Sequence, residues 1–219
     1  SSYNTAAGYR AGFAVTTGIN NTLIGALAGD ALTTPNNNVA VGSEALTADT
    51  LGTTSVAIGR STLKAQNFTT ATSTYNTAVG YTAGFAVTTG VENVLIGSLA
   101  GDALTDADRN TVLGYSALTL DTLGSRSVAI GAATLANQNF TTATESYNTA
   151  VGYAAGQEVT TGIQNTIIGG LAGDAVTTGQ ENVYIGYGAA TTDDQSDANV
   201  IIGSLAGAEM NHGDATGFT

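Results

Sequence analysis

The chain has 219 residues, of which 42% are hydrophobic and 10% are charged, and it contains 29 glycines, one proline and no cysteine. Its 5 basic and 17 acidic residues give a formal net charge of −12, which argues against a nucleic-acid partner because phosphate contacts require clustered Lys and Arg. The hydrophobic fraction is too high, and the charge density too low, for a disordered chain. No apolar run approaches the roughly 18 residues of a membrane-spanning helix, so no membrane insertion is predicted.

A five-residue unit, Asn-x-x-x-Gly, recurs along the whole chain. It begins at twelve positions, with Ser in place of Asn at two of them: Asn4, Asn21, Asn38, Ser55, Asn76, Asn93, Asn110, Ser127, Asn148, Asn165, Asn182 and Asn199. The starts are 17 residues apart, except for a spacing of 21 after each Ser. Three spacings of 17 and one of 21 give a 72-residue super-repeat, with copies at 4–75, 76–147 and 148–219. We predict a single repeat array over 1–219, and a fragment of a longer chain because Ser1 begins in mid-pattern.

Each unit predicts a short strand that ends at glycine. Its second position is always Thr or Val and its fourth is Ile, Val or Leu, except at Ala7, and β-branched residues in alternation are typical of strands. A corner glycine supplies backbone angles or space that other residues lack. The fifth position is glycine in all twelve units: Gly8, Gly25, Gly42, Gly59, Gly80, Gly97, Gly114, Gly131, Gly152, Gly169, Gly186 and Gly203. Gly or Pro three residues before the next unit, as at Gly18 and Pro35, indicates a return turn.

One strand, a corner, a second extended stretch and a turn fit 17 residues. We therefore predict an all-β protein, a parallel β-solenoid (β-roll) of about twelve rungs, where a rung is one 17-residue turn. At about 4.8 Å per rung the array would span about 58 Å. Stacking would place each repeat position, here called a column, above itself on successive rungs.

The asparagines that open the units are predicted to form a structural ladder, in which side-chain amides bond along the stack. Glycan attachment or ligand binding is the alternative interpretation. The ladder comprises Asn4, Asn21, Asn38, Asn76, Asn93, Asn110, Asn148, Asn165, Asn182 and Asn199, together with the glycines of the fifth column.

Two kinds of rung carry their apolar volume in different columns. Where the ninth position is Gly, as at Gly29, the twelfth is apolar, as at Leu32. Where the ninth is Leu, as at Leu46, the twelfth is polar, as at Asp49, and the fourteenth is apolar, as at Leu51. A close-packed, narrow core requires such compensation.

The third column is apolar on every rung, apart from the hydroxyl of Tyr184. If the second and fourth columns face the interior, the third faces outward, where a solvated strand would carry polar residues. We therefore predict that the third column contacts identical chains in a coaxial homotrimer. A monomeric solenoid and lateral or helical filament packing are the alternatives. The predicted interface residues are Leu23, Leu95, Val112, Ile167, Tyr184 and Ile201.

Two motifs carry a family resemblance. The string "SVAIG" at 55–59 and 127–131 resembles the head repeat of YadA-like trimeric autotransporter adhesins. The string "NTAVGYTAGFAVTTG" at 76–90 is similar to repetitive arrays in phage tail-fibre proteins and related tail-fibre-domain proteins. The resemblance covers residues 4–210 and implies a parallel β-roll trimer outside the cell, on a virion or a cell-surface appendage.

The function expected from the repeats and the resemblance is a non-enzymatic structural fibre, a rigid shaft segment of an appendage such as a phage tail fibre. One alternative is an adhesin head that binds a host glycan, another surface receptor or a matrix protein through lateral loops. The four extra residues of each long unit, within 68–75 and 140–147, predict such loops. The other alternative is a self-polymerising extracellular filament subunit.

Few residues could support catalysis or hold a metal. With His212 as the single histidine and no cysteine, neither a nucleophile–base pair nor a zinc site is expected within one chain, so no enzyme activity and no cofactor are predicted. Calcium is the alternative, because "DADRN" at 106–110 and "DDQSD" at 193–197 cluster oxygen ligands, although solvated turns explain both.

Two further sets of residues could lie on the surface. A tyrosine follows the fifth-column glycine at Tyr9, Tyr81, Tyr115, Tyr153 and Tyr187. These tyrosines are predicted to pack at a corner or interface, and stacking on sugars is the alternative. Sequons for N-glycosylation stand at Asn20, Asn67 and Asn139.

Overall fold

The computed structural model describes residues 3–209, and this part of the chain consists of strands and turns without a helix. It accordingly contains no helix long and apolar enough to cross a membrane. The chain divides into two compact units, Ser1–Arg109 (unit 1) and Asn110–Thr219 (unit 2).

Unit 1 is built on six three-residue strands that pair in parallel. They are β1 (Thr5–Ala7), β2 (Thr22–Ile24), β3 (Val39–Val41), β5 (Val56–Ile58), β7 (Thr77–Val79) and β8 (Val94–Ile96), hydrogen-bonded in that order. A second small sheet pairs β4 (Gly52–Thr53) with β6 (Thr72–Ser73), also in parallel. The strand β6 lies within the 21-residue rung that begins at Ser55. The four extra residues of this rung add a strand pair and leave residues 69–71 exposed.

Unit 2 repeats this plan. Its main sheet pairs, in order and in parallel, β9 (Thr111–Leu113), β11 (Val128–Ile130), β13 (Thr149–Val151), β14 (Thr166–Ile168), β15 (Val183–Ile185) and β16 (Val200–Ile202). Its small sheet pairs β10 (Gly124–Ser125) with β12 (Thr144–Glu145), and residues 141–143 are exposed.

The strand register follows the sequence repeat in both units. Thr22 pairs with Val39, and Val39 pairs with Val56, so each column stacks on itself. The strands are short because a glycine corner follows each one. Each unit is therefore a parallel β-solenoid of six rungs, which confirms the prediction of an all-β solenoid with about twelve turns.

The third column points into the interior of each unit, and this corrects the predicted interface. Leu23 is 1% exposed and Ile201 is 8% exposed, whereas Leu95, Val112, Ile167 and Tyr184 are fully buried, all within a single chain. Side chains without exposed surface cannot gain burial against a partner. The prediction that they face outward is wrong because both faces of the strand are apolar, so alternation alone does not identify the inner face.

The ninth and twelfth columns fill the rest of the core in two ways. A β carbon on Gly29 would lie 2.7 Å from Cδ1 of Leu32, so glycine makes room for the leucine. In the other kind of rung Leu46 is itself fully buried, at a φ of 53°. A left-handed conformation costs about 1–2 kcal/mol. Full burial of a leucine side chain contributes about 1.5–3 kcal/mol, which offsets that cost.

Glycine in the fifth column is required both by its backbone angle and by the next rung. Gly42 has a φ of +136°, and a β carbon there would lie 2.3 Å from the carbonyl oxygen of Gly59. Backbone atoms of one rung cannot retreat from such a contact without losing the strand register. The corner therefore accepts no side chain.

We expect Gly42→Ala to destabilise the protein by more than about 3 kcal/mol, because it combines a strained φ with a clash against backbone. Gly170→Ala is the matched control, since Gly170 has no left-handed φ and its β carbon would meet only Cδ2 and Cε2 of Tyr187, at 3.7 and 4.0 Å. The control should stay within about 0.5 kcal/mol of wild type. Denaturant titration of both variants measures the difference, and equal stabilities would contradict the corner argument.

Candidate functional site

The structure brings the ladder asparagines together inside each unit. Asn38 is typical: its Oδ1 accepts the backbone N–H of Ser55 at 2.9 Å, and its Nδ2 donates to the carbonyl of Gly52 at 2.9 Å. Its own N–H donates to Oδ1 of Asn21 at 3.0 Å. Each asparagine thus accepts a backbone N–H at the first column of the next rung and donates to a carbonyl in the return turn of its own rung. These contacts occupy the side chains, so within the described residues the ladder serves structure rather than ligand binding.

The same geometry holds along both units. In unit 1, Oδ1 of Asn4 accepts from Asn21 N at 2.8 Å, and Oδ1 of Asn76 accepts from Asn93 N at 3.0 Å. In unit 2, Asn148, Asn165 and Asn182 each accept the backbone N–H of the following ladder asparagine. Each of these distances is 2.8–3.0 Å, which is the normal range for an N–H···O bond.

A buried polar network replaces the ladder where Ser stands for Asn. In unit 1, Nε2 of Gln66 donates to Oδ2 of Asp49 at 2.6 Å and to Oγ of Ser55 at 2.9 Å. Its Oε1 accepts from Nδ2 of Asn76 at 2.9 Å, and Ser55 also shares a 2.6 Å hydrogen bond with Thr74. Gln66 therefore connects the serine rung to the asparagine of the next rung. Asp49, Ser55 and Gln66 have no exposed surface.

The carboxylate of Asp49 also serves the backbone. Its Oδ1 accepts the N–H of Gly52 at 2.9 Å and that of Phe68 at 3.2 Å. Burial raises the pKa of Asp49, because removal from water disfavours the charged form, while the bonds from Gln66 and the backbone act in the opposite direction.

Unit 2 contains the equivalent network. Asp121, Ser127, Gln138 and Asn148 are fully buried, and Gln138 donates to Asp121 at 2.5 Å and to Ser127 at 2.9 Å. Asn148 donates to Oε1 of Gln138 at 2.8 Å. Sequence reasoning missed this role of the glutamines. The signal was present, because Ser replaces Asn only in rungs whose twelfth residue is Gln.

The acidic turns considered for calcium bind groups of the chain itself. Asp106 accepts from the Thr89 hydroxyl at 2.5 Å, and Asp108 accepts from Val91 N at 2.8 Å. Asp197 accepts from Gln180 N at 2.8 Å, and Asp193 accepts from the Tyr184 hydroxyl at 2.7 Å. Among residues 3–209 no three acidic or histidine side chains converge on a point that could hold a metal ion. His212 lies outside the described residues.

The buried Tyr184 is the polar exception in the third column. Its ring has no exposed surface, and its hydroxyl donates to a carboxylate that is also fully buried. Burial raises the pKa of Tyr184, and the bond to Asp193 raises it further. The pair is a buried core contact in which the other carboxylate oxygen, Oδ1 of Asp193, has no hydrogen-bond partner among the described residues.

The outward side of each main sheet is the first of two exposed surfaces. The second and fourth columns, which we call the outer sheet face, contain only Thr, Val, Ile, Leu and Ala and no charged residue. Ile24 is 40% exposed in unit 1, and Ile168 is 38% exposed in unit 2. The fourth column comprises Ala7, Ile24, Val41, Ile58, Val79 and Ile96 in unit 1, and Leu113, Ile130, Val151, Ile168, Ile185 and Ile202 in unit 2.

The second exposed surface is aromatic. The tyrosines of the sixth column, which follows the glycine corner, all lie on the outside: Tyr9, Tyr81, Tyr115, Tyr153 and Tyr187. The loops of the 21-residue rungs and the sequon asparagines Asn20, Asn67 and Asn139 are also exposed.

The cations do not form a binding patch. Lys64 and Arg109 pair with glutamates of unit 1, and Arg126 pairs with Glu145 in unit 2.

Comparison of the chain with protein-family models, with curated proteins and with solved structures finds no match in any of the three. Arguments about function therefore depend on the geometry described above.

We expect Asn38→Ala to lower the free energy of unfolding by about 2–6 kcal/mol, because it leaves the Ser55 N–H and the Gly52 carbonyl buried without partners at about 1–3 kcal/mol each. Asn67→Ala is the control, since Asn67 is exposed and accepts only from the Thr50 hydroxyl. It should change the stability by less than about 0.5 kcal/mol. Urea titrations of the two variants decide the point, and a mild effect of Asn38→Ala would show that the ladder is dispensable.

Proposed function

We propose that this chain is a non-enzymatic structural segment of an extracellular fibre, whose task is to set a distance. The observation that carries the proposal is the sameness of the contacts between rungs. Each rung offers the next rung the same backbone donors and acceptors that the previous rung offers to it. These contacts lie along the strand, at the glycine corner and along the ladder. Such a segment lengthens by about 4.8 Å with every rung and needs no new contact type. A spacer requires this property, whereas a unique active site does not.

The proposed partner is an identical chain, bound along the outer sheet face. Parallel sheets are usually covered on both faces, and here one face is covered by the chain itself. The uncovered face carries no charged residue, although the net charge of the chain is −12. Two copies that meet at this face therefore bring no like charges together there. A second copy also matches this face at every rung, because both have the same repeat.

We place these copies in a coaxial homotrimer, with the outer sheet faces turned towards the common axis. The three-fold symmetry would then bring the long rungs of the three chains to the same level. The tail-fibre and adhesin resemblance supports this arrangement and an extracellular location on a virion or a cell-surface appendage. An adhesin head and a self-polymerising filament subunit are the alternatives that the experiments below separate.

The spacer proposal predicts that whole rungs can be removed. Deletion of the 17 residues 165–181 joins one ladder asparagine rung to the next in register, so the protein should stay folded, with its melting temperature within about 5 °C of wild type. Deletion of the 8 residues 166–173 is the control, because it leaves Asn182 only nine residues after Asn165, about half a rung, so the following strand cannot stack in register. Circular dichroism melting measures both. If the two deletions are equally damaging, or equally harmless, the rungs are not interchangeable modules.

The homotrimer proposal predicts a solution mass of three times 21.7 kDa by light scattering. Ile168→Asp places a charge on the outer sheet face and should reduce the mass to that of one chain. Leu120→Asp is the control, since Leu120 is 50% exposed but lies outside the second and fourth columns. A wild-type mass of 21.7 kDa would overturn the trimer, and a mass that rises steadily with concentration would favour the filament subunit.

A further inference from the structure

Unit 2 presents an exposed tyrosine on every second rung. Tyr115, Tyr153 and Tyr187 are 62%, 66% and 59% exposed, and they follow β9, β13 and β15. The rungs between them, which contain β11 and β14, carry Ala132 and Gly170 in the same column. The sixth column of this unit therefore alternates between an aromatic ring and a very small residue.

The backbone fixes the spacing of these rings. The carbonyl oxygens of Tyr115, Tyr153 and Tyr187 each accept an N–H from the following rung, at 2.9, 2.9 and 2.8 Å. Two rungs separate successive tyrosines, so the rings repeat at about 9.6 Å along the stack. A rigid aromatic row of fixed period binds with little loss of conformational freedom.

The small residues leave room for the rings to lie along the surface. A β carbon on Gly170 would be 3.7 Å from Cδ2 and 4.0 Å from Cε2 of Tyr187, so this ring extends over the backbone of the preceding rung. The ring of Tyr187 therefore lies close to the preceding rung, while the residue is 59% exposed. Exposed, flat-lying rings of this kind are platforms for stacking.

We propose that Tyr115, Tyr153 and Tyr187 form a binding surface for an extended, neutral, β-1,4-linked glycan. The apolar C–H face of a pyranose ring packs on an aromatic ring, and the phenol hydroxyl offers a hydrogen bond at the rim. In an extended β-1,4-linked chain, alternate sugars present the same face, and the advance over two sugars closely matches the advance over two rungs. Every second sugar would therefore stack on a tyrosine.

The charge of the unit selects against anionic glycans. Residues 110–209 contain nine acidic residues and one basic residue, and that basic residue, Arg126, already pairs with Glu145. A polyanion would meet net repulsion without a compensating cation. A neutral chain of glucose or N-acetylglucosamine does not incur this penalty.

Unit 1 provides an internal comparison. Its tyrosines Tyr9 and Tyr81 are separated by four rungs, and Ala26, Ser43 and Arg60 occupy the column between them. Arg60 lies over the ring of Tyr81, 5.7 Å from its centroid. Unit 1 thus lacks a periodic platform, although it has the same fold.

The test is titration calorimetry of the full chain with cellohexaose, chitohexaose and maltohexaose. We expect a Kd of about 1 mM for at least one of the two β-1,4-linked hexamers, since three stacked contacts supply only a weak affinity. Maltohexaose has the glucose units of cellohexaose but α-linkages that coil the chain, and it should bind at least about tenfold more weakly.

The variants locate the site. Tyr153→Ala removes the central platform and should weaken binding by about tenfold, whereas Tyr153→Phe should stay within about threefold of wild type. Tyr9→Ala in unit 1 should leave the affinity unchanged, because the next three rungs carry Ala26, Ser43 and Arg60 in that column. Because Tyr153 is exposed, Tyr153→Ala should leave the melting temperature of the protein unchanged. A lower melting temperature would identify a folding defect.

Three results would overturn the glycan surface: no binding of either β-1,4-linked hexamer, equal affinity for cellohexaose and maltohexaose, or full affinity in Tyr153→Ala. A change of the light-scattering mass in Tyr153→Ala would also overturn it, because the tyrosines would then belong to an interface between chains. The glycan surface goes beyond the spacer function. Its failure leaves the rung-deletion and outer-face results unaffected.

Discussion

The backbones of successive rungs approach so closely at the fifth column that no side chain fits between them. Gly42 faces the carbonyl of Gly59, and Gly131 faces that of Gly152, with space for a hydrogen but not for a β carbon. This contact sets the height of each rung and forces the same corner in all of them. Strand register, ladder and core columns follow from it, because every column must repeat at the same height.

Buried polar groups impose the second constraint, which is that columns can change only in groups. An asparagine in the first column satisfies one backbone donor of the next rung and one backbone acceptor in the return turn of its own rung. Where serine replaces it, Oγ1 of Thr74 accepts the Asn76 N–H at 3.3 Å, Gln66 accepts from the Asn76 side chain and donates to Asp49, and buried Phe68 supplies the apolar volume. A change in one column without the others would leave unpaired groups in a dry interior.

The buried residues pack and form hydrogen bonds within the chain, so any binding specificity depends on the exposed residues. In each rung the outer sheet face precedes the glycine corner and the sixth column follows it, so the two surfaces are formed by different residues. Ile168 is suited to apolar packing between copies, whereas Tyr153 offers a ring and a hydroxyl to a ligand. In the proposed fibre, the proposed tyrosine surface would repeat along the length, and many weak contacts would add up through avidity.

The sequence by itself determined the strands, their register and the glycine corners, because these depend on local conformation and on a spacing that can be counted. Only the tertiary structure decided which strand face is inside. Leu23 and Ile24 are equally apolar neighbours, and their chemistry does not show that the first is buried and the second is 40% exposed. The inner face depends on how the 17 residues close into a turn, which is a property of the whole rung. The roles of Gln66 and Asp108 were decided in the same way, because their partners are 10 and 17 residues away and meet them only when rungs stack.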